Sequence, residues 1–327
     1  MIKIAVDLMG GDDAPQVVLD GIELFLKAFS DVEIQGYGLP EYNTIKHDNF
    51  KFIACSEQIT MDDEPVRSLR RKKDASMVRA AEAVKLKTAD ACVSAGNTGA
   101  LMSAGLFIVG RIKGIERPAL AMTMPTIDNK GFMLLDMGAN ADAKPEHLIQ
   151  YAKMANIYAK ANRKIDNPTI GLANIGTEDK KGNTLTKETF ALLKAETSIN
   201  FIGNVEPKTL LNSTADIVVT DGFTGNIILK TLEGTANNIF KMLKQTLTSS
   251  TKNKLATAII KNDLAKLKGK MDYSEYGGAV LFGVNGLVIK AHGSSDKVAI
   301  YNALRQARLG VEEDVVSTLA KEVGTDE

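Results

Sequence analysis

Short apolar runs rich in β-branched residues alternate with helical stretches along the whole chain, and that alternation most constrains the fold. The runs cover 2–8, 32–37, 51–55, 90–93, 133–136, 169–172, 200–202 and 217–220, and the helical stretches cover 15–28, 99–111, 145–161, 186–195 and 225–247. Pro15 and Pro145 stand at first helical positions, where a missing N–H costs nothing. Strands of this kind separated by helices predict an α/β fold with parallel strands and helices on both faces. At 327 residues, 44% hydrophobic and 24% charged, the chain has ample material for such a core. Its longest apolar stretches, such as 119–124, fall far short of the roughly 20 residues that cross a bilayer, so no transmembrane span, no signal peptide and a cytoplasmic location are expected. The two cysteines, Cys55 and Cys92, both lie in apolar runs and are expected as reduced core thiols. Forty basic and forty acidic residues cancel, which argues against a nucleic-acid partner but leaves room for local asymmetry.

One segment echoes another. Residues 89–99 and 215–225 agree at six of eleven positions, and each reads as strand, Gly turn and helix start. Similar βα turns share such composition by chance; the sharper reading is one domain over 1–327, built of two pseudo-repeated halves that meet at a cleft. No Pro- or Ser-rich linker separates them, so a shared sheet is expected.

In open α/β sheets, ligands bind beyond the carboxyl ends of strands, where helix N-termini offer free N–H groups to anions. Six loops of that composition follow strands here: Met9–Asp12, Gly96–Gly99, Gly138–Asn140, Asn174–Thr177, Gly222–Gly225 and His292–Ser295. The candidate substrate contacts among and beside them are Asp7, Gly10, Gly11, Gly96, Asn97, Thr98 and Gly99 in the first part of the chain. Thr177, Asp221, Gly222, Thr224, Gly225, His292, Gly293 and Ser294 complete the set. Any single loop of this kind can be a plain turn, and His292 suits a phosphate ligand and a structural hydrogen bond equally. Neither a dinucleotide fingerprint nor a P-loop occurs, and no G-x-S-x-G elbow accompanies the three histidines. Histidine and cysteine spacing supports no metal site, and no cofactor is expected. An attacking group that arrives with the substrate, held by charge and amide donors, fits this inventory.

Several motifs in order carry a resemblance: residues 6–15, Glu64-Pro65-Val66-Arg67, 71–77, 94–100, 174–178, 220–226 and 290–295. Together they resemble the acyl-carrier-protein:phosphate acyltransferases of bacterial phospholipid synthesis, from end to end. The resemblance implies a three-layer α/β/α sandwich like that of isocitrate and isopropylmalate dehydrogenases, with two intertwined subdomains sharing a mixed sheet, and a homodimer. It implies long-chain acyl transfer from acyl carrier protein to inorganic phosphate, with the acyl phosphate passing to a glycerol-3-phosphate acyltransferase. It also implies Lys181 and Asn226 as the catalytic pair, with Lys180 the adjacent rival. The bland alternatives are a solvated loop lysine and a helix N-terminal residue serving the backbone.

Two basic tracts point to partners. Arg67, Arg70, Arg71, Lys72 and Lys73 place five cations in seven residues, a surface that would steer an acidic carrier protein, although Asp62, Asp63 and Glu64 just before them could compensate it. Residues 241–270 hold eight Lys and one Asp, a net charge of +7. There a basic amphipathic tip would lay Leu255, Ile259, Ile260 and Leu264 on an anionic membrane surface, giving peripheral association; the alternative is core packing under a lysine coat. Rival functions are a short-chain acyl-coenzyme A phosphotransacylase, a dehydrogenase of related fold, and a non-catalytic carrier-protein or lipid-binding module.

Overall fold

The computed structural model describes residues 1–270 and 277–323. Its centre is a sheet in the order β3-β2-β1-β4-β11-β10-β5-β6-β9-β7-β8. In chain order the strands are β1 (Ile2–Asp7), β2 (Val32–Gly38), β3 (Phe50–Ala54), β4 (Ala91–Ser94), β5 (Ala119–Met124), β6 (Phe132–Leu135), β7 (Thr169–Ala173), β8 (Asn200–Val205), β9 (Ile217–Val219), β10 (Ala279–Phe282) and β11 (Leu287–Lys290). The helices are α1 (Gln16–Ala28), α2 (Pro65–Arg71), α3 (Ser76–Lys85), α4 (Thr98–Ala104), α5 (Pro145–Arg163), α6 (Thr184–Ala195), α7 (Gly222–Leu247), α8 (Thr251–Lys270), α9 (Lys297–Glu312) and α10 (Val315–Val323).

The parallel pairing read from the alternation holds on the flanks, and the sheet as a whole is mixed, as the resemblance implied. Strand β10 runs antiparallel to both β11 and β5, and β5 runs antiparallel to β6, so the sheet is mixed. The pairs on either side are parallel: β3-β2-β1-β4-β11 on one flank, β6-β9-β7-β8 on the other. Three reversals separate the flanks, so they run in opposite directions. The carboxyl ends of β1, β4 and β11 therefore leave one edge of the sheet, and those of β6, β7 and β9 leave the other.

One face is covered throughout. Ile22 and Phe25 of α1, Tyr151 of α5, Leu193 of α6, Ile300 of α9 and Leu319 of α10 pack into a continuous core over Ile4, Val6, Ile170 and Ile289. The other face is covered in two patches. Helices α2, α3 and α4 bury Leu69, Met77 and Ala100 over Ala5, Cys92 and Leu281. Helix α7 buries Ile228 and Leu229 over Leu120, Leu134 and Val218. The layers are α/β/α, and a groove lies beside α4, lined also by residues of 116–118 and 139–147. Both cysteines are free and buried, as read from their apolar surroundings.

After two turns, α7 leaves the sheet: its buried residues are Gly222, Gly225, Ile228 and Leu229. The expected basic tip is the far part of α7 plus α8, with a break at 248–250. Helix α8 leans on α7 through Thr257, whose hydroxyl donates to the Leu247 carbonyl at 3.0 Å. Leu255 and Ile259 are 68% and 85% exposed and Ile260 is exposed as well, which removes the core-packing alternative for these three. Leu264, one turn on from Ile260, is half-buried. No helix of the described residues is long and apolar enough to cross a membrane.

Candidate active site

Because the flanks run oppositely, the six anion-suited loops separate into two groups of three. Met9–Asp12, Gly96–Gly99 and His292–Ser295 follow β1, β4 and β11 at one edge; Gly138–Asn140, Asn174–Thr177 and Gly222–Gly225 follow β6, β7 and β9 at the other.

At the first edge the buried Asp7 carboxylate holds the loops together. It accepts hydrogen bonds from the Ser76 and Ser94 hydroxyls, each at 2.6 Å, and from the Met9 amide at 3.1 Å. Burial raises its pKa, against those hydrogen bonds. Gly10 lies so close to the Gly96 loop that a Cβ there would sit 2.5 Å from the Gly96 nitrogen, so both glycines are required by close backbone approach. The Asp12 amide donates to the Gly293 carbonyl at 2.8 Å, which brings the third loop in. Lys290, at the end of β11, is only 7% exposed, and its ammonium donates to the Ala95 carbonyl at 3.1 Å and to the Ala291 carbonyl. Burial pushes its pKa down to about 8, although Asp7 and Asp12 favour its charge. His292 Nδ1 meets the Ser294 hydroxyl at 2.9 Å, and burial lowers its pKa against the pull of Glu233.

Some residues singled out from the sequence have a structural occupation instead of a free side chain. The Asn97 carbonyl accepts from the Ala100 amide to cap α4, while its amide donates to the carbonyls of Thr60, Met61 and Asp63. Thr98 and Gly99 form the first turn of α4, and a Cβ on Gly99 would meet Pro65 at 2.6 Å. Asp221 caps α7 by accepting from the Thr224 amide at 2.8 Å. These residues shape the loops, and any ligand contact from Asn97 would have to displace a hydrogen bond already made.

At the second edge the organiser is Asp136, fully buried after β6. It accepts from the amides of Leu120, Gly138, Ala139 and Asn140. Burial raises its pKa, and those amides oppose the rise. Asn140 donates to the Pro118 carbonyl at 2.7 Å and to the Tyr151 hydroxyl at 2.9 Å, and its carbonyl accepts from the Gly222 amide at 2.9 Å. Asn226, on the first turns of α7, is exposed and neighbours Gly138, whose Cβ would lie 3.8 Å from it. On the adjacent strand β7, Asn174 donates to the Lys181 carbonyl at 3.1 Å and to Asn204 at 3.1 Å, pinning the loop that presents Lys181. The Lys181 ammonium is exposed, 3.9 Å from Glu178; Lys180 and Thr177 are exposed beside it. Lys181 and Asn226 thus leave the same edge of the sheet from neighbouring strands, β7 and β9.

Helix α7 connects the two edges. Asn226, Lys230 and Glu233 recur at spacings of four and three, so they share one side of the helix. Glu233, about 16 Å along the helix from Gly222, places its mostly buried carboxylate 3.7 Å from His292 Nε2. The groove beside α4 has a volume of about 910 Å³ and runs from Pro65 and Val66, past Met102, Ser103 and Leu106, to Asn140 and Lys144. Leu281 of β10 lines it too, and Arg111, Arg117 and His147 stand at the Asn140 end. Arg67, Arg70, Arg71 and Lys73 are exposed on and after α2, whereas Lys72 is half-buried and pairs with Asp63 at 2.6 Å.

Asp136 and Glu233 were not singled out from the sequence as site residues, and Asn140, Lys290, Ser76 and Ser94 fell within the loops and motifs read there without a role of their own. The run Asp136-Met137-Gly138-Ala139-Asn140, an acid before a glycine turn, was the available signal for Asp136 and Asn140.

A family model described as fatty acid synthesis protein matches residues 2–318. The chain is 73% identical over 323 residues to a phosphate acyltransferase of Macrococcus caseolyticus (strain JCSC5402), with 99% of each chain covered. It is 60% identical over 324 residues to a phosphate acyltransferase of Staphylococcus aureus (strain MSSA476), again covering 99% of each. Among solved structures, a branched-chain phosphotransacylase from Enterococcus faecalis V583 superposes with a TM-score of 0.60 at 16% identity, over 95% of this chain and 100% of that one. A 4-hydroxythreonine-4-phosphate dehydrogenase from Klebsiella pneumoniae gives 0.51 at 13% identity, over 95% and 99%. These two likenesses concern the fold alone, and they agree with the dehydrogenase-like sandwich expected from the motifs. On the family match and the full-length relatives, the chain belongs to the fatty acid synthesis protein family and is an acyltransferase.

Proposed function

We propose that the chain transfers a long-chain fatty acyl group from the thioester of acyl carrier protein to inorganic phosphate, giving an acyl phosphate for glycerol-3-phosphate acylation in phospholipid synthesis. A phosphate oxygen attacks the thioester carbonyl carbon and forms a new C–O bond; as the tetrahedral intermediate collapses the C–S bond breaks, and the carrier leaves as a thiolate that takes up a proton. Lys181 offers charge to the phosphate dianion, and the Asn226 amide donates to the oxyanion that develops on the carbonyl. The observation that carries this reading is the placement of those two groups. Both are exposed at one sheet edge, Lys181 on a loop held by Asn174 and Asn226 on the first turns of α7 against the loop that Asp136 organises, where a helix N-terminus favours anions.

The cysteines give no competing nucleophile. Burial pushes the Cys55 thiol up to about 11 and raises that of Cys92 as well, so neither is a thiolate at neutral pH. The exposed cations of α2 favour an acidic protein as donor over a short-chain acyl-coenzyme A, which is the second reading. The exposed Leu255, Ile259 and Ile260 together with the lysines of 241–270 support contact with an anionic membrane. Ile175, Phe223 and Ile227, exposed around Lys181 and Asn226, are the kind of surface a second subunit would cover in a homodimer.

The test is incubation of palmitoyl-loaded acyl carrier protein with phosphate, following free carrier thiol. Phosphate-dependent thiol release is expected. Release from acetyl-coenzyme A but not from the loaded carrier would favour the second reading and overturn this one.

A further inference from the structure

The groove between α4 and the second edge has an asymmetry that identifies its occupant. One wall is the exposed side of α4 and the turn after it, where Met102, Leu106 and the 63%-exposed Phe107 are apolar. Its far end is polar and carries more cations than anions, with Arg111, Arg117 and Lys144 beside Asn140 and with Glu116, whose carboxylate lies 3.1 Å from His147 Nε2. From Gly99 to Phe107 the helical wall spans about 12 Å, and the groove's volume of about 910 Å³ lies near the upper end of the roughly 300–1,000 Å³ usual for small-molecule sites. Phosphate alone needs a small fraction of that space, so an extended, largely apolar ligand with a polar reacting end fits better.

The near end explains how such a ligand enters. Pro65 and Val66, which line the groove, are the first residues of α2, and Arg67 and Arg70 project from that same helix into solvent. A partner held by those cations would have the groove's mouth directly beneath it. At the other end, Asn140 accepts the Gly222 amide, and Gly138 abuts Asn226.

We infer that this groove is the channel for the acyl-bearing prosthetic arm of the carrier protein, entered beside α2 and ending at the Asn140–Asn226 corner where the thioester carbonyl is presented. The inference rests on the proposed donor and adds where that donor's arm lies. Docking at α2 and reaction at α7 are then joined by a path along α4, with Ser103 at its middle.

Two measurements separate the groove from the reaction. In the first, Ser103→Trp fills the channel; kcat/KM for palmitoyl carrier protein should fall at least tenfold, while the KM for phosphate stays within twofold and the melting temperature is unchanged. An unaltered kcat/KM would overturn the inference. In the second, Ser103→Cys is labelled with an environment-sensitive fluorophore, a selective reaction because Cys55 and Cys92 are both buried. Carrier protein bearing the palmitoylated arm should shift the emission, and carrier lacking the arm should not. Equal shifts from both, or none from either, would sink the channel without reference to turnover. Failure of the wild-type protein to release carrier thiol would instead remove the proposed reaction, and the fluorescence result would stand on its own.

Discussion

Gly225 of α7 presses directly on the backbone carbonyl of Asp136, so closely that a Cβ on the glycine would overlap that oxygen. The contact seats the first turns of α7, and with them Asn226, against the loop that Asp136 organises. Gly225→Ala should therefore displace α7, at a stability loss of about 1–3 kcal/mol typical of overpacking, and reduce activity at least tenfold. Gly234, farther along the same helix, has open space around it; Gly234→Ala should gain about 0.5–1 kcal/mol from helix propensity. Thermal unfolding and turnover of the two variants test the pair. A silent Gly225→Ala would show that the seat is not tight.

Lys181→Ala and Asn226→Ala should each lose tenfold or more in kcat and remain folded. Losing a transition-state partner costs at least about 1.4 kcal/mol per decade of rate, and neither side chain supports the fold: Asp221 caps α7, and only the Lys181 backbone is pinned by Asn174. Activity within about threefold of the parent would remove the residue from the site. If Lys180→Ala is the damaging change instead, the role passes to the neighbouring lysine.

Lys290 makes stability depend on pH in a definite direction. Its folded pKa, lowered to about 8 from an unfolded value of 10.5, means that the unfolded chain binds more protons between those values. Stability therefore rises with pH across that window, as the cost of a buried ammonium is relieved, by up to about 3 kcal/mol. Below pH 8 the cost is fully present. Lys290→Met should abolish this rise, so urea unfolding of both proteins at pH 7.5 and pH 10 is the check. Parallel pH dependences in the two proteins would contradict the buried charge.

Most strands of the two flanks were legible in the sequence as short apolar runs set between turns and helical stretches: the runs at 2–8, 32–37 and 169–172 lie within a residue of β1, β2 and β7. Strands β5 and β10, which join the flanks, and β11, the innermost strand of the first flank, were not read. β5, β10 and β11 are buried on nearly every residue, so they lack the alternation that marks a strand with one wet face. Missing them hid the reversal, and with it the separation of the six loops to opposite edges. The echo between 89–99 and 215–225 has a limited structural counterpart. Both segments run strand, turn, helix, but α4 is capped at Asn97, the counterpart of Phe223, whereas α7 is capped two aligned positions earlier, at Asp221. Glycine loops announced themselves by composition. Asp7 was read as a substrate contact, and Asp136 and Lys290 were given no role; that all three are buried charges fixing those loops was not legible, because burial of a lone Asp or Lys depends on partners distant in the sequence.

For the projecting hairpin, charge and apolar contact respond to different variables. Lysines near an anionic bilayer contribute about 1 kcal/mol each and weaken with salt, whereas an inserted isoleucine adds a salt-insensitive amount. The protein should sediment with anionic vesicles and poorly with neutral ones. Ile260→Glu should lose vesicle binding and keep soluble acyltransferase activity, since Ile260 is exposed and far along the chain from Asn226. Equal sedimentation of the variant would exclude this residue from the contact.

Helix α7 is 26 residues long, about 39 Å from end to end, with no proline in its sequence. One end is wedged between Asp136 and Asn140; the other stands free of the sheet. Such a rod transmits tilt: a displacement imposed at the far end pivots about the wedged turns, and the short arm of that pivot is where Asn226 sits. Whatever grips the distal hairpin therefore has mechanical leverage over the geometry at the proximal end, without any loop between them needing to move.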